Sequence, residues 1–114
     1  MINGAHAILY SHDADATRAT LAKVLGTRTV DAGGGWLIFA LPPAELAVHP
    51  AERGGRTELY LMTDDLDDTL ARLRERGVTV AAEVSDQGWG VLASIEVPGF
   101  GPIGVYEPRH PVPR

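Results

Sequence analysis

Short apolar blocks recur along the chain, separated by glycine, proline and acidic residues. Blocks of roughly four to eight residues with alternating polarity are typical of strands, and longer stretches with apolar residues at helical spacing are typical of amphipathic helices. The pattern predicts helices over 15–25 and from 64–65 to a glycine at 77. It predicts strands over 4–10, 27–30, 36–41, 45–49, 57–63, 79–84, 91–97 and 103–107.

The two halves of the chain repeat one order of elements. The distance along the chain from His6 to Gly26, which ends the first predicted helix, nearly equals that from Glu58 to Gly77, which ends the second. Each half therefore predicts a βαβββ unit, and neither unit alone buries both faces of its sheet, so the two are expected to pack together in one α+β domain. The expected boundaries are a first unit at about 3–50, a linker at 51–56, a second unit at about 57–108 and a tail at 109–114.

Composition narrows the range of functions. The 114 residues are enough for one domain, and the absence of cysteine excludes disulfides, thiolate metal sites and a thiol nucleophile. Ten Lys and Arg residues against fifteen Asp and Glu residues give a net charge of −5, which disfavours binding to nucleic acid or to anionic membranes. With no long apolar run and no signal-like start, we expect a cytoplasmic protein that binds neither nucleic acid nor membranes.

Three predicted strands carry side chains that can bind metal or move protons. His6 lies on an otherwise apolar strand, and Glu58 takes the equivalent place in the second unit. A carboxylate within a strand is costly to bury unpaired, so Glu58 needs a cation, a hydrogen-bond donor or solvent. Glu45 and His49 share one face of the last strand of the first unit, and the alternation leaves open which of them faces the site.

Aromatic side chains are candidates for a ligand pocket. Tyr60 and Tyr106 share strand faces with the candidate site residues, and ordinary core packing is the alternative. Trp89 lies between two glycines in a predicted loop at 85–90. That loop either folds over a pocket as a flap or packs its tryptophan on the core.

The tandem βαβββ layout carries a resemblance to a known family. Its most specific pieces are His6-Ala7-Ile8-Leu9-Tyr10 leading through a helix to Lys23-Val24-Leu25-Gly26, and the closing Val105-Tyr106-Glu107-Pro108. These features resemble the vicinal oxygen chelate superfamily, which includes glyoxalase I, extradiol dioxygenases and bleomycin-binding resistance proteins. The resemblance implies two units that form a curved mixed sheet (an open barrel) with the helices outside. It also implies a small-molecule pocket in the concave face and, in many members, a homodimer that completes the pocket.

The resemblance further implies a divalent metal (Fe, Zn, Ni or Mn) held by residues from four equivalent strands. The first position falls on His6, the second on Glu45 or His49, and the third on Glu58. Such a centre leaves coordination sites open for neighbouring oxygens of a substrate, as in lyase, isomerase or dioxygenase chemistry. Glu58 would then also serve as the base in proton transfer.

At the fourth ligand position this chain departs from the family pattern. The usual glutamate is replaced by Gly104, and alternation directs Glu107 to the opposite face of an unbroken strand. Two hypotheses follow. One is a metal-dependent enzyme, and the other is a metal-free protein that sequesters a small molecule, such as an antibiotic, against Tyr60, Trp89 and Tyr106.

Overall fold

The computed structural model describes residues 7–44, 47, 50, 52–55, 57–109 and 111, which form two helices and six strands. In chain order the elements are α1 (Ala14–Leu25), β1 (Thr29–Asp31), β2 (Leu37–Phe39), β3 (Tyr60–Met62), α2 (Leu66–Glu75), β4 (Val80–Asp86), β5 (Gly90–Val97) and β6 (Gly101–Pro108). The strands belong to a two-stranded sheet, β1–β2, and a four-stranded sheet with the order β3–β6–β5–β4. The predicted α+β class is confirmed.

Both helices begin where the sequence places a capping aspartate. The Asp13 carboxylate accepts a hydrogen bond from the Ala16 N–H at 3.2 Å, and the Asp65 carboxylate accepts one from the Asp68 N–H at 3.0 Å. These bonds satisfy N–H groups that the first turn of a helix leaves without a partner. Helix α1 ends at Gly26, whose φ of 60° lies in the left-handed region that favours glycine.

The second unit has the predicted βαβββ order. Strand β3 runs parallel to β6, with Tyr60 opposite Gly104, whereas β4, β5 and β6 are antiparallel neighbours. Gly104 also lies opposite Ser94 of β5. Because side chains alternate between the faces of a sheet, this register decides which residues share the open face and which face the helices.

The hydrophobic core lies between helix α2 and one face of the four-stranded sheet. The three leucines of α2 stand on one side of the helix, as the spacing predicts, and are almost completely buried. Strands β5 and β6 direct every second side chain toward them. The buried residues of this core cluster are Leu66, Leu70, Leu73, Val78, Ala93, Ile95, Val97, Ile103 and Val105.

Helix α1 attaches the first unit to the second. The buried Thr17 hydroxyl donates a hydrogen bond to the Pro98 carbonyl at 2.8 Å, and the His12 N–H donates to the Gly99 carbonyl at 3.2 Å. The sequence pattern predicts a buried stripe on α1 formed by Ala14, Leu21, Val24 and Leu25. Leu21 and Val24 are half-buried and pack against the core, whereas the prediction for Ala14 is wrong. Ala14 is exposed and Thr17 is the buried residue of the helix. A hydroxyl can be buried there because its hydrogen bond to the turn after β5 replaces the one lost to water.

The glycine-rich stretch after β1 forms the predicted turn. The Asp31 carboxylate accepts hydrogen bonds from the N–H groups of Gly33 at 2.7 Å and Gly35 at 3.3 Å, and both glycines have positive φ. The antiparallel pairing of Val30 with Ile38 completes this hairpin.

The first and last predicted strands of the first unit fall partly outside the described residues. Residues 7–10 and Ala47, which are described, take no part in a sheet. Alternating polarity favours an extended chain, but a strand also needs a neighbouring edge to pair with, and these residues have none within the described part of the chain. Tyr10 is 85% exposed. Neither described helix has the length and apolar character needed to cross a membrane.

Candidate functional site

The open face of the four-stranded sheet is built by every second residue of three strands. The row Tyr60, Gly104 and Ser94 crosses β3, β6 and β5, and the next row contains Met62, Tyr106 and Leu92. These side chains point away from the face that carries the hydrophobic core. This face carries Tyr60 and Tyr106, two of the residues proposed from the sequence to line a ligand pocket.

Three aromatic side chains meet on this face, and we call Tyr60, Trp89 and Tyr106 the aromatic cluster. The ring centroids of Trp89 and Tyr106 lie 5.2 Å apart, those of Tyr60 and Tyr106 5.9 Å apart, and those of Tyr60 and Trp89 6.1 Å apart. All three pairs have edge-to-face geometry, which the ring quadrupole favours. Tyr106 is 8% exposed, whereas Tyr60 is 38% and Trp89 43% exposed, so the outer two rings offer apolar surface to a ligand.

Gly104 provides the room that the Tyr60 ring occupies. A Cβ atom at position 104 would overlap Cδ1 of Tyr60 and lie 2.7 Å from its Cε1, closer than carbon atoms approach. The backbone φ of Gly104 is not in the left-handed region, so the requirement for glycine here is one of space and not of backbone conformation. A side chain at this position and the Tyr60 ring in its present place exclude each other.

Glu58 lies at the edge of the aromatic cluster. Its carboxylate oxygen Oε2 accepts a hydrogen bond from the Tyr60 hydroxyl at 2.5 Å, and both side chains are exposed. Bonds from a hydroxyl to an ionised carboxylate are short and comparatively strong. Glu58 lies two residues before β3 and not within the strand, and its carboxylate has both solvent and a hydrogen-bond donor. The bond holds the hydroxyl end of the Tyr60 ring beside Glu58.

Glu107 lies on the other side of the sheet, as alternation predicts. Its Oε1 accepts a hydrogen bond from the Leu66 N–H at 3.0 Å, at the first turn of α2. A carboxylate there satisfies a helix N–H group and complements the helix dipole. Glu107 therefore stabilises the fold and does not replace the missing residue at position 104.

Trp89 lies in the short connection between β4 and β5, which an ion pair joins to the end of β6. Arg109 Nη1 lies 2.6 Å from Asp86 Oδ2, and the Gly88 N–H donates to Asp86 Oδ1 at 2.9 Å. The pKa of Asp86 is lowered, mainly by the hydrogen bond from Arg109 and to a smaller extent by the hydrogen bond from the Gly88 N–H. The Asp86 carboxylate in turn raises the pKa of Arg109. The Trp89 ring packs against Tyr60 and the buried Tyr106, as expected if this tryptophan packs on the rest of the protein. The alternative, a flap over a pocket, stays a prediction.

A family model described as the Glyoxalase/Bleomycin resistance protein/Dioxygenase superfamily matches residues 5–109. The chain belongs to this superfamily. The resemblance inferred from the tandem units is thus confirmed. No curated protein matches the chain significantly.

Solved structures of the glyoxalase superfamily share the fold over nearly the whole chain. TnmS3, an antibiotic-binding protein from Streptomyces sp. CB03234, is 26% identical, with 95% of this chain and 99% of that one covered and a TM-score of 0.61. A glyoxalase/bleomycin resistance protein from the same organism is 27% identical, with 86% and 94% covered and a TM-score of 0.57. Lactoylglutathione lyase from Agrobacterium tumefaciens is 19% identical, with 92% and 96% covered and a TM-score of 0.57.

Most of the metal centre expected of a glyoxalase-like enzyme lies outside the described residues. His6, Glu45 and His49 lie outside them, so Glu58 is the one expected ligand whose position is known. Within the described part of the chain, no three His, Asp or Glu side chains come close enough together to hold a metal ion. Gly104, at the place where the resemblance implies the fourth ligand, has no donor side chain, and the Tyr60 ring takes up the space above it.

The sequence pattern names the three aromatic residues as candidates, and the structure brings their rings together through a contact that the pattern does not predict. The role of Gly104 as space for a ring was not predicted, although a glycine inside a strand is a known sign of close approach by another group. The pairing of Asp86 with Arg109 was missed as well, because no pattern along the chain connects residues 86 and 109.

Proposed function

We propose that this protein binds a small organic molecule through a flat, apolar part that stacks on the aromatic cluster, and that it sequesters this molecule without altering it. The observation that carries the proposal is the Tyr60 ring over Gly104, at the position where metal-binding relatives are expected to hold a carboxylate. An aromatic ring at this place cannot coordinate a metal ion as a carboxylate would, but it provides a surface on which a flat molecule can stack.

The exposed fraction of each ring determines how much free energy a ligand can gain by covering it. Burying a large apolar side chain completely contributes roughly 1.5–3 kcal/mol. Since Tyr60 and Trp89 are 38% and 43% exposed, covering the remainder of either ring contributes about 1 kcal/mol. Removing either ring should therefore weaken binding by about fivefold to tenfold.

The likeness to TnmS3 supports the same class of ligand. That protein is described as antibiotic-binding, and the two chains align over nearly their full lengths at 26% identity. We therefore place antibiotics with planar ring systems first among candidate ligands. Glu58 and Ser94 would supply the few polar contacts that orient such a ligand on a mostly apolar face.

Equilibrium dialysis against a panel of planar antibiotics that includes bleomycin tests this proposal. We expect saturable binding of at least one compound, weakened in Tyr60→Ala and in Trp89→Ala. Tyr60→Phe, which keeps the ring and loses the hydroxyl, should retain most of the affinity, and so should Trp36→Phe, which lies outside the cluster. Binding that is equally tight in Tyr60→Ala and in the unchanged protein would place the ligand elsewhere.

A metal-dependent lyase or dioxygenase is the second candidate, and the position of Glu58 beside the cluster favours it. Its ligands would be His6, Glu58 and either Glu45 or His49. Elemental analysis after purification without chelators distinguishes the two. Iron, zinc, nickel or manganese in stoichiometric amount, lost in His6→Ala, would favour the enzyme, whereas we expect no such metal.

We also propose that two copies of the chain associate. Several large apolar side chains of the first unit are exposed, and apolar surface of this kind marks an interface where it forms a contiguous patch. They are Ile8, Tyr10, Val30, Trp36 and Leu41. Among the described residues the β1–β2 sheet has two strands, fewer than a sheet needs for independent stability, and pairing with a second copy would stabilise it. Light scattering at micromolar concentration should give the mass of a dimer, and a monomeric mass would contradict the proposal.

A further inference from the structure

The position of Trp89 depends on contacts outside the aromatic cluster. Its ring packs against Tyr60 and Tyr106, but it stands in a connection of three residues, 87–89, between β4 and β5. Gly88, just before it, has a φ of 83°, which most other residues adopt only with strain. Such a connection directs its tryptophan toward the cluster only if the backbone on both sides is fixed.

Arg109 and Asp86 fix that backbone from two sides. The Arg109 N–H donates to the Trp89 carbonyl at 2.9 Å, which extends the pairing of β5 and β6 by one residue. The guanidinium of the same residue reaches Asp86 Oδ2 at 2.6 Å, and Asp86 Oδ1 accepts from the Gly88 N–H at 2.9 Å. A closed ring of contacts therefore runs from Asp86 through Gly88 and Trp89 to Arg109 and back to Asp86.

From this closed ring we infer that Asp86 and Arg109 are a positioning pair, which holds the Trp89 indole against Tyr60 and Tyr106 in the orientation that receives a ligand. The effect on ligand binding rests on the function proposed above, whereas the placement of Trp89 does not. Arg109 Nη1 makes a direct, charge-assisted hydrogen bond to Asp86 Oδ2, and such bonds are shorter and stronger than those between neutral groups.

The pair acts locally and not through the core. Both side chains are exposed and lie outside the buried apolar cluster, so breaking the pair leaves the packing of α2 on the sheet intact. The lowered pKa of Asp86 keeps its carboxylate ionised across the neutral range, and Arg109 is charged there as well. The interaction is therefore present under the conditions in which a ligand would bind.

Fluorescence of Trp89 tests the inference without any ligand. In a Trp36→Phe background Trp89 is the single tryptophan, and its quenching by acrylamide reports its exposure. Because Trp89 is 43% exposed in the cluster, its release in Asp86→Ala or Arg109→Ala should raise its accessibility by about twofold. Asp68→Ala, which breaks the exposed pair of Asp68 with Arg72 on α2, is the matched control and should leave quenching unchanged.

Two further variants separate positioning from a general loss of structure. Arg109→Lys keeps the charge and should retain most of the protection, and Asp86→Asn keeps an acceptor for the Gly88 N–H if Asp86→Ala fails to fold. A merely structural role would lower the urea midpoint while leaving native-state quenching as it is. Quenching that is equal in Asp86→Ala, Arg109→Ala and their parent would overturn the inference.

Bleomycin serves as the binding probe in the same proteins. If the parent binds it, the apparent affinity should fall in Asp86→Ala in proportion to the fraction of molecules whose Trp89 has left the cluster. If quenching rises in the variants but the parent binds neither bleomycin nor other planar antibiotics, the positioning role stands and the proposed function fails. If quenching stays unchanged while binding weakens, the positioning role fails.

Discussion

Adding one methyl group at Gly104 should displace the Tyr60 ring. In Gly104→Ala the new Cβ would overlap Cδ1 of Tyr60, lie 2.7 Å from Cε1, and lie 3.3 Å from Cδ1 of Leu92. The neighbouring Leu92 contact is tight but tolerable, so the Tyr60 ring must rotate or move outward. Its edge-to-face contacts with Trp89 and Tyr106 would then be lost.

The expected cost follows from these contacts. Overpacking typically costs about 1–3 kcal/mol, and each aromatic pair contributes about 0.5–1.5 kcal/mol. Replacing glycine by alanine inside a strand also raises the free energy of unfolding by about 0.5–1 kcal/mol, because alanine loses less conformational freedom on folding. This gain offsets part of the cost. We expect Gly104→Ala to lower the free energy of unfolding by about 1–3 kcal/mol, or roughly 4–6 °C in Tm for each kcal/mol.

A double-mutant cycle decides whether the Tyr60 ring is the cause. Urea unfolding of Gly104→Ala is compared in the unchanged protein and in Tyr60→Ala, where no ring occupies the space. We expect the cost of Gly104→Ala to disappear in the Tyr60→Ala background, an interaction of about 1–3 kcal/mol between neighbouring sites. An equal cost in both backgrounds, or none in either, would refute the reasoning.

Three other predictions concern the contacts that hold the elements together. Glu107→Ala should lower the free energy of unfolding by about 1 kcal/mol in a urea titration, because the Leu66 N–H loses its acceptor at the start of α2. Thr17→Val should cost about 1–3 kcal/mol in the same assay, because the buried hydroxyl bond to Pro98 is lost without a change in shape. Since the pKa of Asp86 is lowered in the folded protein, its contribution to stability should be complete above the ordinary carboxyl pKa and lost as the pH falls through the lowered value. NMR titration of its side-chain carboxyl follows this directly.

Each of these predictions has its own control. Glu107→Gln keeps an acceptor without the charge and should lie between Glu107→Ala and the unchanged protein. Thr17→Ser keeps the hydroxyl and should restore most of the stability lost in Thr17→Val. An Asp86 side chain that titrates at the ordinary carboxyl pKa or above it would mean that the ion pair with Arg109 is absent in solution.

The elements of the second unit could be predicted because their signals are local. An aspartate at position 65 and leucines at helical spacing predict α2, and alternation predicts that Gly104 and Glu107 face opposite sides of β6. Each of these features depends on residues that are close in sequence, within one or two turns of a helix or a few residues along a strand. The way in which the two units combine into a curved sheet was predicted from the family resemblance and not from these local signals.

The candidate site could be predicted only in part, because its contacts join distant residues. Tyr60 meets Gly104 through the register of two parallel strands, which no pattern within either strand determines. Trp89 joins them through a connection that is shorter than expected, since β4 continues to Asp86 and β5 begins at Gly90. The expected ligands His6, Glu45 and His49 lie outside the described residues and stay predictions.

The central claim is that ligands bind on the aromatic cluster, and the indole N–H signals in an NMR titration test it most directly. Two tryptophans give two such signals, one from Trp89 in the cluster and one from Trp36 beside β2. When planar antibiotics are added to isotope-labelled protein, we predict that the Trp89 signal shifts with saturation and that the Trp36 signal does not. A compound that binds with saturation and leaves the Trp89 signal in place would contradict the account.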